Sequence, residues 1–549
     1  MRPRALLVIL ALVTGGLVAG SSASASASGA AAGCAALLDH DFRGVAGAPA
    51  RIDAATAGPA TCDVKGHTGA VRFELKLPLT GWTQRFLMVG CGGYCGSVNV
   101  NATTESTTGC PQVQSGELAV ASTDLGHTGG TFAADGLWGL NNPTAIIDFG
   151  YAGMHKVTLA SKAVIRAYYG QPARYSYFTG CSNGGREALM EAQRYPDDYD
   201  GIIAASPTID DVVENTFEHG WNVRANSHPD GTAILTADKI PALHTAVLKA
   251  CGYRDGGIGT EVADPRGCHF DARTLVCPAA TCLTGAQAAA ANRIWSGPVD
   301  ERGTHLAVGG LPYGSELSWI GGTALQPGQK FGVNTSFEFV YSYDFPNYDA
   351  RWNGPTGITN QNMRFTADQW RYLTQTSAAI DATDPDLAAF QRHGGKLIIW
   401  DGWGDTGSSP FATLNYFDAV TRTLGQKRTD GFVKLYMPTG EGHCGGGTAG
   451  ADYLSPLIAW REQGAAPGKV VTSYRAPGTD ASIVRTQATF PYPAISRYTG
   501  SGDPDNQANW RAAPPEHHYP QHYDWIGDFH YTPRFQQWFT PTVTATAHP

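Results

Sequence analysis

Three short stretches carry residue types that together make an activated nucleophile. Gly180-Cys181-Ser182-Asn183-Gly184 follows the β-favouring run Tyr175-Ser-Tyr-Phe-Thr and precedes a helix-forming run from Arg186. In a G-x-S-x-G turn the glycines let a strand enter a helix sharply without Cβ clashes, and the serine Oγ is left exposed. The backbone N–H of Asn183 then lies at a helix N-terminus, where an oxyanion is stabilised. A serine hydroxyl is a poor nucleophile at its free pKa, so it needs a base within reach and a group that orients the base. His443, in the Gly-rich loop Pro438–Cys444, supplies the base, and Asp405, closing Asp401-Gly-Trp-Gly-Asp405, supplies the orienter. With 67 glycines and 16 histidines in the chain, the competing reading is an ordinary Gly-rich β–α turn and unrelated histidines.

Cys181 precedes the serine and Cys444 follows the histidine, which suggests a geometric test. A disulfide between them holds their Cα atoms about 5.5 Å apart, and neighbouring Cα atoms are ~3.8 Å apart. Ser182 and His443 would then lie within about 13 Å, Cα to Cα. The alternative is that both cysteines pair elsewhere.

Positioning these residues requires strands that alternate with helices. Val71–Leu77 alternates with period two, as expected of a half-buried edge strand. Arg85–Val89 is a strand running into Gly90-Cys-Gly-Gly-Tyr-Cys-Gly96, a loop of backbone donors without dinucleotide-binding spacing. Further strands are expected at 118–124, 201–207, 396–400 and 432–437, with helices near 151–169, 384–392 and 410–424. His155, on the first of these helices, is expected to pack or hydrogen-bond rather than react. Between about 208 and 383 the alternation breaks down, which reads as an inserted domain. The pattern implies an α/β protein with a mainly parallel sheet covered on both faces and ligands at the carboxyl ends of its strands. Ser182, Asp405 and His443 all fall at such ends, in the chain order of α/β-hydrolases.

The 549 residues carry a net charge of -9, only 16% are charged, and there is no basic run, so nothing points to a nucleic-acid partner and none is expected. Residues 1–27 read as a secretory signal: Arg2 and Arg4, an apolar run too short to span a bilayer, then A-x-A sites. A secreted protein with no membrane partner after signal removal follows. Eleven cysteines in an exported chain imply disulfides with one thiol left over. Zinc at Cys91-x3-Cys95 or Cys277-x4-Cys282 lacks a partner pair with suitable histidine spacing. The tail, 513–549, holds His517, His518, His522 and His530 among aromatics. It is expected to be an aromatic strap packed on the body rather than a metal site, since no ligand spacing recurs.

The motifs Gly180-Cys-Ser-Asn-Gly-Gly-Arg-Glu187, Gly402-Trp-Gly-Asp405 and Gly442-His-Cys444 resemble the tannase and feruloyl esterase family, to which mono(2-hydroxyethyl) terephthalate hydrolase also belongs. The resemblance covers roughly Cys34 to Pro515. It implies an α/β-hydrolase fold in two parts, 28–207 and 384–512, with a lid inserted at 208–383. It implies Ser182 as nucleophile, His443 as base, Asp405 as its partner, an oxyanion hole of the Gly93 and Asn183 amides, and a Cys181–Cys444 bridge supporting the site. It also implies Cys34–Cys62, Cys251–Cys268 and Cys277–Cys282, leaving Cys91, Cys95 and Cys110 for one pair and one thiol.

The family's lid carries an aspartate-rich calcium loop. Here Cys251–Asp264 retains only Asp255 as an acidic candidate, and calcium wants six to eight oxygens, so no required cofactor and a doubtful calcium ion are expected. The implied activity is a secreted serine esterase releasing a hydroxycinnamic acid from a small aromatic ester or a plant cell-wall ester. Gallate esters and synthetic aromatic mono-esters are the alternatives. A lid rich in Trp and Tyr suits an aromatic acyl group. A serine peptidase, or a non-catalytic polysaccharide-binding protein on a hydrolase fold, is the reading from another class.

Overall fold

The computed structural model describes residues 32–129, 136–252, 261–349, 356–476, 482–515, 519–533 and 535–538; the signal segment and Asp255 lie outside them. The central sheet is built from β1 (Ala50–Ala57), β2 (Thr61–Thr68), β3 (Val71–Pro78), β4 (Arg85–Val89), β5 (Ala119–Thr123), β6 (Tyr175–Cys181), β7 (Gly201–Ala205), β8 (Lys396–Trp400) and β9 (Val433–Tyr436). Their spatial order is β1-β2-β3-β5-β4-β6-β7-β8-β9. From β5 to β9 every pairing is parallel, while β1, β2 and β3 add antiparallel pairs at one end.

The parallel strands are buried on both faces, which is why they read as continuous apolar runs. Phe86, Met88, Phe178, Ile202, Leu397 and Ile399 point to one face, where Val157, Val164, Leu189 and Leu414 of three helices pack on them. Leu87, Tyr177, Ile203, Ile398 and Trp400 point to the other, against Leu457 and Ile458.

Two expectations fail at the antiparallel end. β3 is not an edge strand; it lies between β2 and β5. Its alternation arises because Val71, Phe73, Leu75 and Leu77 are buried while Arg72 and Lys76 remain exposed, so the period reports one-sided cover rather than an edge. The Cys34–Cys62 segment, of mixed character in the sequence and expected as a strapped N-terminal arm, is bridged but is more than an arm: it holds β1 and the start of β2, whose alanine, glycine, aspartate and lysine content gives little strand signal.

Between β7 and β8 the chain leaves the sheet. The helices Ile240–Cys251 and Gly285–Ser296 form their own cluster around Leu243, Val247, Ile294, Trp295 and Trp319. This is an α/β-hydrolase fold with an inserted lid-like region. After β9 come a three-stranded sheet (Ala449–Ala451, Val470–Arg475, Ile483–Thr489) and a strand pair (Ile495–Tyr498, Trp510–Ala513). The described part of the tail buries Trp525, Tyr531 and Phe535, as a packed strap would. Among the described residues no helix is long and apolar enough to cross a membrane.

Candidate active site

The ladder register brings the distant segments together. Cys181 pairs with Ala205, Ala205 with Trp400, and Trp400 with Tyr436, so four adjacent strands end in one row. The next residues along each strand therefore leave the sheet on the same edge. Ser182 turns there with φ 63° and ψ -124°, a conformation that costs a non-glycine residue about 1–3 kcal/mol and persists only where surroundings impose it. Its N–H donates to Ala205 O (3.0 Å), and the amides of Gly185 and Arg186 donate to Ser182 O (2.9 and 3.1 Å), which starts the helix Asn183–Arg194. The turn closes only with glycines: a Cβ on Gly180 would stand 2.4 Å from Gly184 O.

His443 presents Nδ1 to Asp405 at 2.9 Å from Oδ2 and 3.0 Å from Oδ1. Asp405 is wholly buried, and Gly407 and Ser408 donate backbone N–H groups to its Oδ1 (2.7 and 3.0 Å). Burial works against the Asp405 anion, but the nearby imidazole and these donors outweigh it and hold its pKa below the ordinary carboxylate value. Burial likewise works against imidazolium at His443. The Asp405 charge and hydrogen bond, with Glu105 adding to them, win and raise His443 above its ordinary 6.5. Cys181 and Cys444 are bridged, with Cα atoms 5.9 Å apart, so the Ser182 turn and the His443 loop are covalently tied. Among the described residues no hydrogen bond joins the Ser182 hydroxyl to His443; such contacts often tighten only when substrate binds.

Asp401, at the other end of the same motif, plays a different part. It is wholly buried and accepts the Thr413 hydroxyl (2.6 Å). Burial, together with the Asp405 charge, pushes its carboxyl well above the usual range, which favours its protonated form beside Asp405.

Ser182, Asn183, Gly93, His443 and Cys444 all line one cavity of about 580 Å³. Gly93 has φ 58° in a loop closed by a Cys91–Cys95 bridge. That loop is fastened to the serine helix through Glu187, which accepts the Cys91 N–H (3.3 Å) and the Asn183 side-chain amide (2.7 Å). Burial pushes Glu187 up to about 8. Asn183 is locked on its other side by the wholly buried Arg186 (2.7 Å).

Phe149, Phe337 and Tyr341 supply the aromatic wall, with Asp211, Asn215 and His219 beside them. The lid tryptophans Trp295, Trp319 and Trp370 are buried in packing instead, so the wall draws on Phe and Tyr rather than on the Trp content that the sequence offered. Sequence reasoning also missed Glu105, Ser408, Asp211 and His219. Ser408 and Asp211 were visible only as neighbours of recognised strand ends, and Glu105 and His219 carried no local signal. His155 hydrogen-bonds Asp198 (2.5 Å) and stacks on Tyr195.

Cys34–Cys62, Cys251–Cys268 and Cys277–Cys282 are also bridged, and Cys110 is a buried free thiol. Of the stretch matching the calcium loop, Asp255 is outside the described residues. The two acidic residues that follow are committed to arginines, Glu261 to Arg485 and Asp264 to Arg266. Neither is then a free carboxylate of the kind calcium takes.

Residues 57–513 match the sequence model of the family described as tannase and feruloyl esterase. The mono(2-hydroxyethyl) terephthalate hydrolase of Piscinibacter sakaiensis is 32% identical over 539 residues, covering 85% of this chain and 87% of that protein. Feruloyl esterase B from Aspergillus oryzae superposes with a TM-score of 0.72 at 22% identity, covering 84% of this chain and 97% of that one. Tannin acyl hydrolase from Aspergillus niger gives 0.70 at 20% identity, covering 88% and 95%. At such identities the two structures speak to the fold alone.

Proposed function

Because the chain belongs to the tannase and feruloyl esterase family, and is a serine carboxylic-ester hydrolase acting on aromatic esters, we propose that Ser182, His443 and Asp405 are its catalytic triad and a hydroxycinnamate ester its substrate. The observation that carries this reading is the His443–Asp405 pair, 2.9 Å apart, on the wall of the same cavity as the strained Ser182 turn. With Nδ1 held by Asp405, His443 Nε2 is the nitrogen left to take the serine proton as Oγ attacks the acyl carbonyl. The Gly93 and Asn183 amides receive the oxyanion, the protonated histidine gives its proton to the leaving alcohol, and water repeats the cycle to release the acid.

The Phe149, Phe337 and Tyr341 wall supports an aromatic acyl group, and the volume accommodates a ferulate-sized ring. Gallate and terephthalate mono-esters are the competing substrates. Methyl ferulate is expected to be turned over fastest when methyl ferulate, methyl gallate and a terephthalate mono-ester are compared on one preparation; a preference for gallate or terephthalate overturns the acyl assignment. A fluorophosphonate probe is expected to label the wild type and not Ser182→Ala, whose kcat should fall by about 10⁶. Labelling that persists in the variant refutes the nucleophile. The leader pattern of residues 1–27, together with five disulfides, supports secretion and a small aromatic or plant cell-wall ester met outside the cell. No step is routed through calcium.

A further inference from the structure

Away from the cavity, three distant segments meet in a second carboxylate–imidazole cluster. Asp210 follows β7 where the chain leaves the sheet, Asp381 stands shortly before the return to β8, and His530 comes from the tail beyond the family-matched residues. All three are buried to within about 1% exposure. His530 Nδ1 lies 3.2 Å from Asp210 Oδ2 and 4.0 Å from Asp381 Oδ2, and one ligand atom from each residue falls within 4.8 Å of the others.

The second carboxylate shows that something is unaccounted for. Asp381 Oδ1 accepts the Val212 N–H (2.9 Å), but its Oδ2, fully buried and facing the other two residues, receives no hydrogen bond except a proton shared with the Asp210 carboxyl. Among the described residues no lysine or arginine pairs with Asp210 or Asp381. A buried carboxylate without compensation costs several kcal/mol, so this pair needs either a shared proton or a cation.

We propose that Asp210, Asp381 and His530 bind a divalent cation, zinc fitting best, which pins both roots of the inserted region to the C-terminal tail. Imidazole with two carboxylates suits zinc, whereas calcium prefers more oxygens and no nitrogen. Zinc held at about 2.0–2.2 Å sets neighbouring donors about 3.3 Å apart, near the 3.2 Å observed and a small side-chain shift from the 4.0 Å. Two carboxylates neutralise the ion, and three protein ligands leave the fourth position to water. The ligands come from three segments with no shared spacing, which is why the histidine-rich tail shows no metal motif in sequence.

The test is made on the full mature chain, stripped with a chelator, incubated with zinc and desalted. Retention of equimolar zinc by elemental analysis, with Tm raised by several degrees, is expected. Asp381→Asn, which keeps the Val212 acceptor, and His530→Phe should lose both zinc and the Tm rise while keeping the wild-type far-ultraviolet dichroism. Cobalt added to the stripped wild type should give the visible bands of a four-coordinate ion, a readout that needs no variant. Wild type that retains no zinc and shows no cobalt bands, or zinc that stays bound in both variants, overturns the proposal in favour of a proton shared by the two aspartates.

Discussion

The two buried imidazole–carboxylate groupings use the same chemical groups and reach opposite states. His443 and His530 each present Nδ1 to an aspartate, at 2.9 and 3.2 Å. Yet His443 is raised and His530 is pushed down to about 4. The difference lies in the carboxylates. Asp405 receives the N–H groups of Gly407 and Ser408, stays ionised, and so stabilises an imidazolium. Asp210 is pushed up to about 7 and Asp381 well above the ordinary carboxylate value, both by burial, and the Asp381 charge does not offset the burial that lowers His530. The exposure differs too: the His443 side chain is 30% exposed, that of His530 only 1%. An imidazole next to a carboxylate becomes a working base only where other donors hold the carboxylate's charge. A metal ion would do for the second cluster what two backbone amides do for the first.

The sharpest way to break this contrast is to remove the Asp405 charge. A base must be neutral to act, and a raised His443 stays protonated to higher pH, so the acid limb of kcat/KM in the wild type should lie above 6.5 and activity should rise with pH through it. In Asp405→Asn kcat should fall about 10⁴-fold, and the limb should move down, because burial, which lowers the imidazole pKa, is left as the dominant influence. A limb that stays in place would disconnect Asp405 from the base.

A smaller effect should follow from moving the imidazole without touching its charge. A Cβ at Gly407 would stand 2.6 Å from His443 Cγ. Gly407→Ala should cost on the order of 10² in kcat, as a displacement of about 1 Å can, with the pH limb and the urea midpoint little changed. Loss of stability in place of activity would mean that the loop, not the ring, gives way. The smallest effect belongs to Asp401→Asn. Asparagine keeps the size of a neutral Asp401 and can still meet Thr413, so stability should change by less than about 1 kcal/mol and the limb should not move. A shifted limb would make Asp401 part of the charged grouping.

The strand–turn–helix around Ser182 was legible because its signals are local: a β-favouring run, two glycines and helix formers in succession. The strand ends carrying Asp405 and His443 were legible for the same reason, as apolar runs stopped by Gly-rich loops. The hairpin of β1 and β2 was not, since weak strand formers are held there by neighbours and by the Cys34–Cys62 bridge. Nor was the cavity wall, because whether a lid aromatic packs inward like Trp319 or faces substrate space like Tyr341 depends on a packing partner far along the chain.

What the sequence by itself determined is therefore the strand–turn–helix at Ser182, the order serine–aspartate–histidine and the alternation that lays their strands side by side. Only the tertiary structure decided that Cys91 pairs with Cys95 and that Asp210, Asp381 and His530 share one buried spot. The reason is physical: local periodicity fixes elements, whereas ionisation and coordination depend on distances between segments that register and packing alone set.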